Sequence, residues 1–261
     1  MKRFATLLSL LVLASSANAA GIALRWNSCD GTANRSFACD RSSGSEMLVG
    51  SFDPPSGVSQ LSGIEVILSV AAADGGLPSW WQMFEVGNCR RGSFASSFDV
   101  SDQMDCEDAW NGSATGGWGA AAQNLVNQYN VGNPNGIDLF LTAAVPANQI
   151  QGVSSGRTYA AFKLILNHQK SNGASACAGC DTPVCITLDA LRLVQPSRPT
   201  SGSSSDGEVA TTAVGVILTG PISGMGSQTQ IATWQGGTSN CGAGLSKAST
   251  WSELKSRFKT H

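Results

Sequence analysis

The chain has 261 residues, 16 Lys and Arg against 18 Asp and Glu, a formal charge of −2, and 13% charged residues beside 42% hydrophobic ones. Soluble domains usually carry about 25% charged residues, so this composition argues against coiled coils and charge-rich disordered chains. It also argues against nucleic-acid binding, which needs a basic field to displace counterions from phosphate.

Residues 1–19, MKRFATLLSLLVLASSANA, combine a positive start (Lys2, Arg3), an apolar run from Leu7 to Ala14 and a small-residue site at Ala17-Asn18-Ala19. That order predicts a secretory signal peptide cut after Ala19. The apolar run falls far short of the ~20 residues that span a bilayer, and no later stretch is long and apolar enough either. Cleavage removes two cations and no acid, leaving 14 basic against 18 acidic groups.

Beyond the leader most apolar segments are short runs bounded by Gly, Ser, Asn or Pro, the pattern of strands and turns. Ile22 to Trp26 opens the series. Arg35 to Cys39 and Glu46 to Phe52 read as a pair around the turn 40–44. Gly63 to Val70 is rich in β-branched residues and reads as a central strand. Leu77 to Phe84 reads as a further strand, on which Trp80 and Trp81 would face opposite sides. Ile137 to Val145 enters through the turn Asn133-Pro134-Asn135-Gly136. Thr158 to Asn167 and Val184 to Val194 follow, the latter with Ile186, Leu188, Ala190 and Leu193 on one face. Residues 196–208 (PSRPTSGSSSDGE) carry no large apolar side chain and read as a linker or loop. Val209 to Ile222 and Gln228 to Trp234 add strand material. At the end, Thr250 with Glu253 forms a capping box, and Trp251, Leu254 and Phe258 share one stripe of a short amphipathic helix.

The eight cysteines, Cys29, Cys39, Cys89, Cys106, Cys177, Cys180, Cys185 and Cys241, all follow the leader, and an even count in an exported chain predicts disulfides. Sequence does not fix the pairing. Cys29 with Cys39 and Cys89 with Cys106 suggest local staples, leaving one of Cys177, Cys180 and Cys185 to reach Cys241. The competing reading, zinc held by His168, Cys177, Cys180 and Cys185, conflicts with export through an oxidising compartment.

Strands without βα alternation predict an all-β fold, an antiparallel β-sandwich of jelly-roll or cohesin/Ig-like outline with a short C-terminal helix. The expected domains are the leader 1–19, the sandwich 20–195, the linker 196–208, and a C-terminal part 209–261 that packs on the body. Leu77-Pro-Ser-Trp-Trp-Gln, Cys177-Ala-Gly-Cys-Asp-Thr-Pro-Val-Cys, Thr233-Trp-Gln-Gly-Gly and the Thr-Trp-Ser-Glu-Leu-Lys ending together resemble uncharacterised secreted bacterial Cys-containing β-sandwich proteins. That resemblance implies secretion and architecture but brings no activity. The cohesin-like comparison concerns architecture only, and fold does not imply function.

Candidate chemistry is sparse. Gly152-Val-Ser154-Ser-Gly156 matches G-x-S-x-G, but a strand-like run follows where a nucleophile elbow needs a helix. His168 and His261 are the histidines on offer as a base. Asp99, Asp102, Asp105, Glu107 and Asp108 form the densest set of carboxylates. They suit a solvated loop or a calcium ion, which takes about six to eight oxygens. A two-carboxylate glycosidase is the other use for such acids, with Glu65 and Glu85 as further candidates. Trp80 and Trp81, with Trp110 and Trp118 from a Gly-rich loop at 110–119 (WNGSATGGWG), could form a platform for sugar rings, although large aromatics usually cover core.

Three functions from different classes fit these features. In order, they are a secreted structural or interaction protein without catalysis at the cell surface, a carbohydrate-binding module using exposed Trp, and a secreted two-carboxylate hydrolase. No cofactor is implied beyond calcium, and the expected partner is a glycan or another surface protein.

Overall fold

The computed structural model describes residues 20–72, 75–83, 87–102, 105–123, 136–196, 215–222 and 229–236. The leader, residues 197–214 with nearly all of the expected linker, Glu85, Cys241 and the expected helix at 250–261 lie outside the described residues.

The strands, in chain order, are β1 (Gly21–Trp26), β2 (Asn34–Arg35), β3 (Ser45–Asp53), β4 (Gln60–Leu61), β5 (Gly63–Ala72), β6 (Phe94–Ser97), β7 (Glu107–Asp108), β8 (Thr115–Gln123), β9 (Gly136–Ala144), β10 (Gln151–Gly152), β11 (Tyr159–Asn167), β12 (Val184–Val194), β13 (Gly215–Leu218) and β14 (Ile231–Trp234). One sheet runs β1-β3-β11-β6, with β7 beside β11. The other runs β2-β14-β12-β5-β9-β8, with β13 beside β12, and β4 pairs with β10 apart from both. The main ladders are antiparallel. The expected all-β antiparallel sandwich is therefore the observed architecture.

Period-two alternation builds the core. Ile64, Val66, Leu68 and Val70 of β5 face inward, as do Ile22, Leu24 and Trp26 of β1 and Ile137, Leu139 and Leu141 of β9. A burial pattern that changes face along one strand needs an extra residue, and β12 has one, because its register with β5 shifts between Leu188 and Ala190. The inward set is consequently Val184, Ile186 and Leu188, then Leu191 and Leu193. Ala190, expected in that row, is not part of it. Asp189 sits at the bulge.

Three expectations are corrected. Residues 35–39 do not form a hairpin with β3, since β2 has only two residues and lies parallel to β14, while β1 and β11 flank β3. Leu77 to Met83 forms turns rather than a strand, with Pro78 lacking the N–H that a ladder needs. Thr115 to Gln123, whose first five residues belong to the Gly-rich stretch 110–119 expected as a loop, is a nine-residue strand on β9. It owes its place to small residues, because a Cβ at Gly116 would lie 2.1 Å from Thr142 O and 2.8 Å from the Phe98 ring.

Sheet packing depends on one glycine in particular. A Cβ at Gly50 of β3 would stand 2.2 Å from the ring of Phe162, which is fully buried on β11. Gly50→Ala is expected to lower unfolding free energy by about 1–3 kcal/mol, the cost of overpacking a filled core, and urea denaturation of the oxidised protein measures it.

Candidate functional site

One end of the sandwich is held by rings and disulfides. Trp234 of β14 stacks on Trp80 at 5.3 Å, meets Trp81 edge-on at 5.7 Å, and lies 5.8 Å from Trp26 and 5.9 Å from Phe37. Its indole N–H donates to Cys180 O at 2.7 Å. Around this cluster Cys39 bonds to Cys180 and Cys89 to Cys177, while Cys29 bonds to Cys106 elsewhere. The expected local pairs Cys29–Cys39 and Cys89–Cys106 are thus wrong. Each thiol instead meets one brought close by the fold from 77, 141 or 88 residues away. Cys185 is disulfide-bonded as well. With Cys177, Cys180 and Cys185 oxidised, the zinc set around His168 has no thiolates.

His168 instead completes a buried polar cluster. Its ring stacks on Phe37 at 3.7 Å, with Nδ1 lying 2.9 Å from Ser43 O and Nε2 3.2 Å from Glu46 Oε1. Glu46, 3% exposed, also meets Arg35 Nε at 2.5 Å. Arg90 is likewise buried. It lies flat over Trp80 at 3.4 Å, donates to Trp80 O at 2.7 Å and to Asn167 O. Burial pushes its pKa down to about 9, so it remains a cation at neutral pH. Carbonyl oxygens and an aromatic face hold it in place.

The tryptophans separate into two kinds. Trp80, Trp81 and Trp110 are at most 1% exposed, so their rings offer no face to a sugar. Trp80 and Trp81 both turn inward because their segment is a turn, and strand alternation does not apply. Trp80 Nε1 donates to Ser171 Oγ at 3.0 Å, and Trp110 Nε1 to Leu61 O at 3.0 Å. Trp118 on β8 differs, being 39% exposed and edge-on to Phe94 at 5.0 Å.

The acidic stretch does not converge. Asp99 accepts from Ser101 Oγ at 2.6 Å, and this bond and one from the Ser101 backbone hold its carboxyl below the usual range. Asp102 accepts from Lys163 Nζ at 2.7 Å, Asp105 from the Asp30 N–H at 2.8 Å, and Glu107 from Arg157. Asp108 takes the N–H groups of Trp110 at 2.8 Å and Gly112 at 2.6 Å, closing a turn. Five carboxylates thus serve five separate contacts, and among the described residues no group of three or more His, Cys, Asp or Glu could hold a metal ion. Glu65 pairs with Arg192 at 2.7 Å. The Gly152–Gly156 segment leads into β11 with no helix behind it, and the Ser154 N–H donates to Tyr159 Oη at 3.0 Å.

A closer pair of acids lies where no local motif marks it. Ser69 Oγ on β5 lies 3.0 Å from Asp138 Oδ1 on β9 and 2.5 Å from Asp189 Oδ2 on β12. Asp138 and Ser69 are cross-strand partners, so their side chains share the outer face of the sheet. The bulge turns Asp189 toward them. Asp138 is 3% and Ser69 6% exposed, so this row is not presented to a polymeric substrate. The apolar gap between the sheets, about 10 Å³ and lined by residues such as Val70, Trp81, Phe94, Leu139 and Ile186, is too small to hold a ligand.

No family model matches this chain, and no curated protein is similar to it. Among solved structures, a cohesin module from Clostridium perfringens ATCC13124 family 33 glycoside hydrolase matches at a TM-score of 0.31 and 6% identity, covering 77% of this chain and 96% of that one. A likeness at that level carries no argument about this protein.

Glu46 is the residue whose loss the sandwich end would feel most. Glu46→Ala leaves a buried imidazole and half-exposed Arg35 without their carboxylate, and stability is expected to fall by about 2–4 kcal/mol in urea denaturation. Calcium added to the native protein is expected to leave its melting temperature unchanged, since the five carboxylates from Asp99 to Asp108 already point to separate partners; differential scanning calorimetry reads this.

Proposed function

We propose that this protein works outside the reducing cytosol as a disulfide-stapled β-sandwich, a structural or interaction module that binds through its surface and carries no catalysis. The disulfide set carries this reading. Cys29–Cys106, Cys39–Cys180 and Cys89–Cys177 close chain spans of 77, 141 and 88 residues, and such bonds persist where thiols are oxidised. The leader-like residues 1–19 support the same compartment. No helix among the described residues is long and apolar enough to cross a membrane. The gap between the sheets among the described residues is too small for a ligand, which favours recognition at strand edges and loops.

The test is to express the full chain with its leader in a bacterium, fractionate the cells, and map disulfides by non-reducing mass spectrometry. Oxidised protein in the periplasm or medium is expected, with Cys39→Ser/Cys180→Ser costing about 2–5 kcal/mol. Fully reduced protein in the cytosol, as stable as the oxidised form, would overturn the reading.

A carbohydrate-binding role is the second reading, and it now rests on Trp118, which is 39% exposed. Retention on a glycan array that Trp118→Ala abolishes without changing the melting temperature would support it. Retention of neither protein removes it and leaves the first reading in place.

A further inference from the structure

An edge strand carries a row of backbone N–H and C=O groups that a further strand can take up, and natural sheets blunt such edges with short strands, charge, proline, bulges or a covering segment. Most edges here are managed in these ways. β2 has two residues and β6 four. The outer side of β1 is covered, because the Ile22 N–H donates to Gly220 O at 2.8 Å and the Leu24 N–H to Thr229 O at 2.7 Å. Among the described residues β8 is the exception. It ends its sheet, runs nine residues as TGGWGAAAQ, contains no charge and no proline, and follows β9 without a register shift. Thr115 to Trp118 are exposed, and a Cβ at Gly117 or Gly119 would meet nothing within 4 Å.

We propose that β8 pairs antiparallel with β8 of a second copy of this chain about a two-fold axis at Trp118, joining two seven-stranded sheets edge to edge. In that register Trp118 stands opposite the second copy's Trp118, Gly117 opposite Gly119, and Gly116 opposite Ala120. The strand is complementary to itself in this arrangement. Its large side chain lies on the axis and meets its own copy, and every other position from Gly116 to Ala120 is small enough for the backbones to close. The absence of charge means that no like charges face each other, which would otherwise oppose a symmetric pair. Each indole covers part of the exposed surface of the other, removing apolar area that one copy alone leaves in water. Both strands gain the ladder hydrogen bonds of an added edge. Such an interface is isologous and closes on itself as a dimer. It is also modest in area, so dimer and monomer exchange with concentration. This assignment does not depend on the compartment in which the protein works.

Sedimentation equilibrium of the full oxidised chain tests it with charge placed by register. Gly117→Lys/Gly119→Lys sets lysine opposite lysine twice across the axis, on positions with open space, and is expected to raise the dimer dissociation constant by about tenfold. Gly117→Asp/Gly119→Lys sets aspartate opposite lysine and is expected to restore dimerisation, which a variant that merely unfolds the strand would not do. In parallel, Trp118→Cys is expected to form a disulfide-linked dimer under air oxidation, and Thr115→Cys is not, since the two copies' Thr115 lie far apart in this register. A native chain that stays monomeric at every concentration overturns the proposal. So does a dimer that ignores the paired lysines, is not restored by the charge swap, or cross-links through Thr115 rather than Trp118.

Discussion

The indole of Trp234 is the point on which the structure turns. It belongs to the larger sheet, yet it packs on Trp26 of the smaller one and on Trp80 and Trp81 from the turns at 77–83. Its N–H is tied to Cys180 O, and Cys180 is covalently joined to Cys39. Four separate stretches of chain therefore meet on one ring system. Fully buried aromatics give a large apolar area per residue, which suits a chain with 13% charged residues and little surface electrostatics to draw on.

That arrangement explains the buried charges beside it. Arg90 is held under the aromatic cluster by Trp80, through both its ring and its carbonyl, and by Asn167 O. These groups replace the water that burial removes, and a lysine would not reproduce the planar fork. Glu46 is similarly enclosed between Arg35 and His168, with Phe37 stacked on the imidazole. The cluster anchors the turn at Ser43 and Gly44, because the His168 N–H donates to Gly44 O at 2.9 Å and Gly44 adopts a positive φ of 90°. In chemical terms this histidine is part of the frame. The same is true of the acids from Asp99 to Asp108: Asp99 and Asp108 close turns, Asp102 and Glu107 meet cations, and Asp105 takes the Asp30 N–H.

With one end fastened, the distinctive surface features among the described residues lie along β8. A strand of glycine and alanine with one indole gains little from its own fold, since it carries few apolar atoms to bury. Its value to the protein is in what it leaves uncovered. A charge-free edge next to an exposed Trp is costly in an isolated sandwich, where it invites uncontrolled pairing. The same features favour an ordered contact once a matching strand is present.

Much of the fold was legible in the sequence. Gly63 to Val70, Ile137 to Val145, Thr158 to Asn167 and Val184 to Val194 announce themselves by period-two alternation and β-branched residues, and the even cysteine count with a leader-like start indicated disulfides. These are local properties, set by backbone sterics and by the hydrophobic pattern within a few residues. β8 was not legible, because its glycines are required by Thr142 O and the Phe98 ring, neighbours that only the folded sheet supplies. The inward turn of both Trp80 and Trp81, the bulge that aims Asp189 at Ser69, and the pairing of Cys39 with Cys180 across 141 residues are of the same kind. Sequence by itself determined that the segments of β5, β9, β11 and β12 become strands and that thiols in an exported chain pair as disulfides. Tertiary structure decided which thiols meet, which rings are buried and which edge is left open, because each of these depends on contacts between residues that the chain holds far apart.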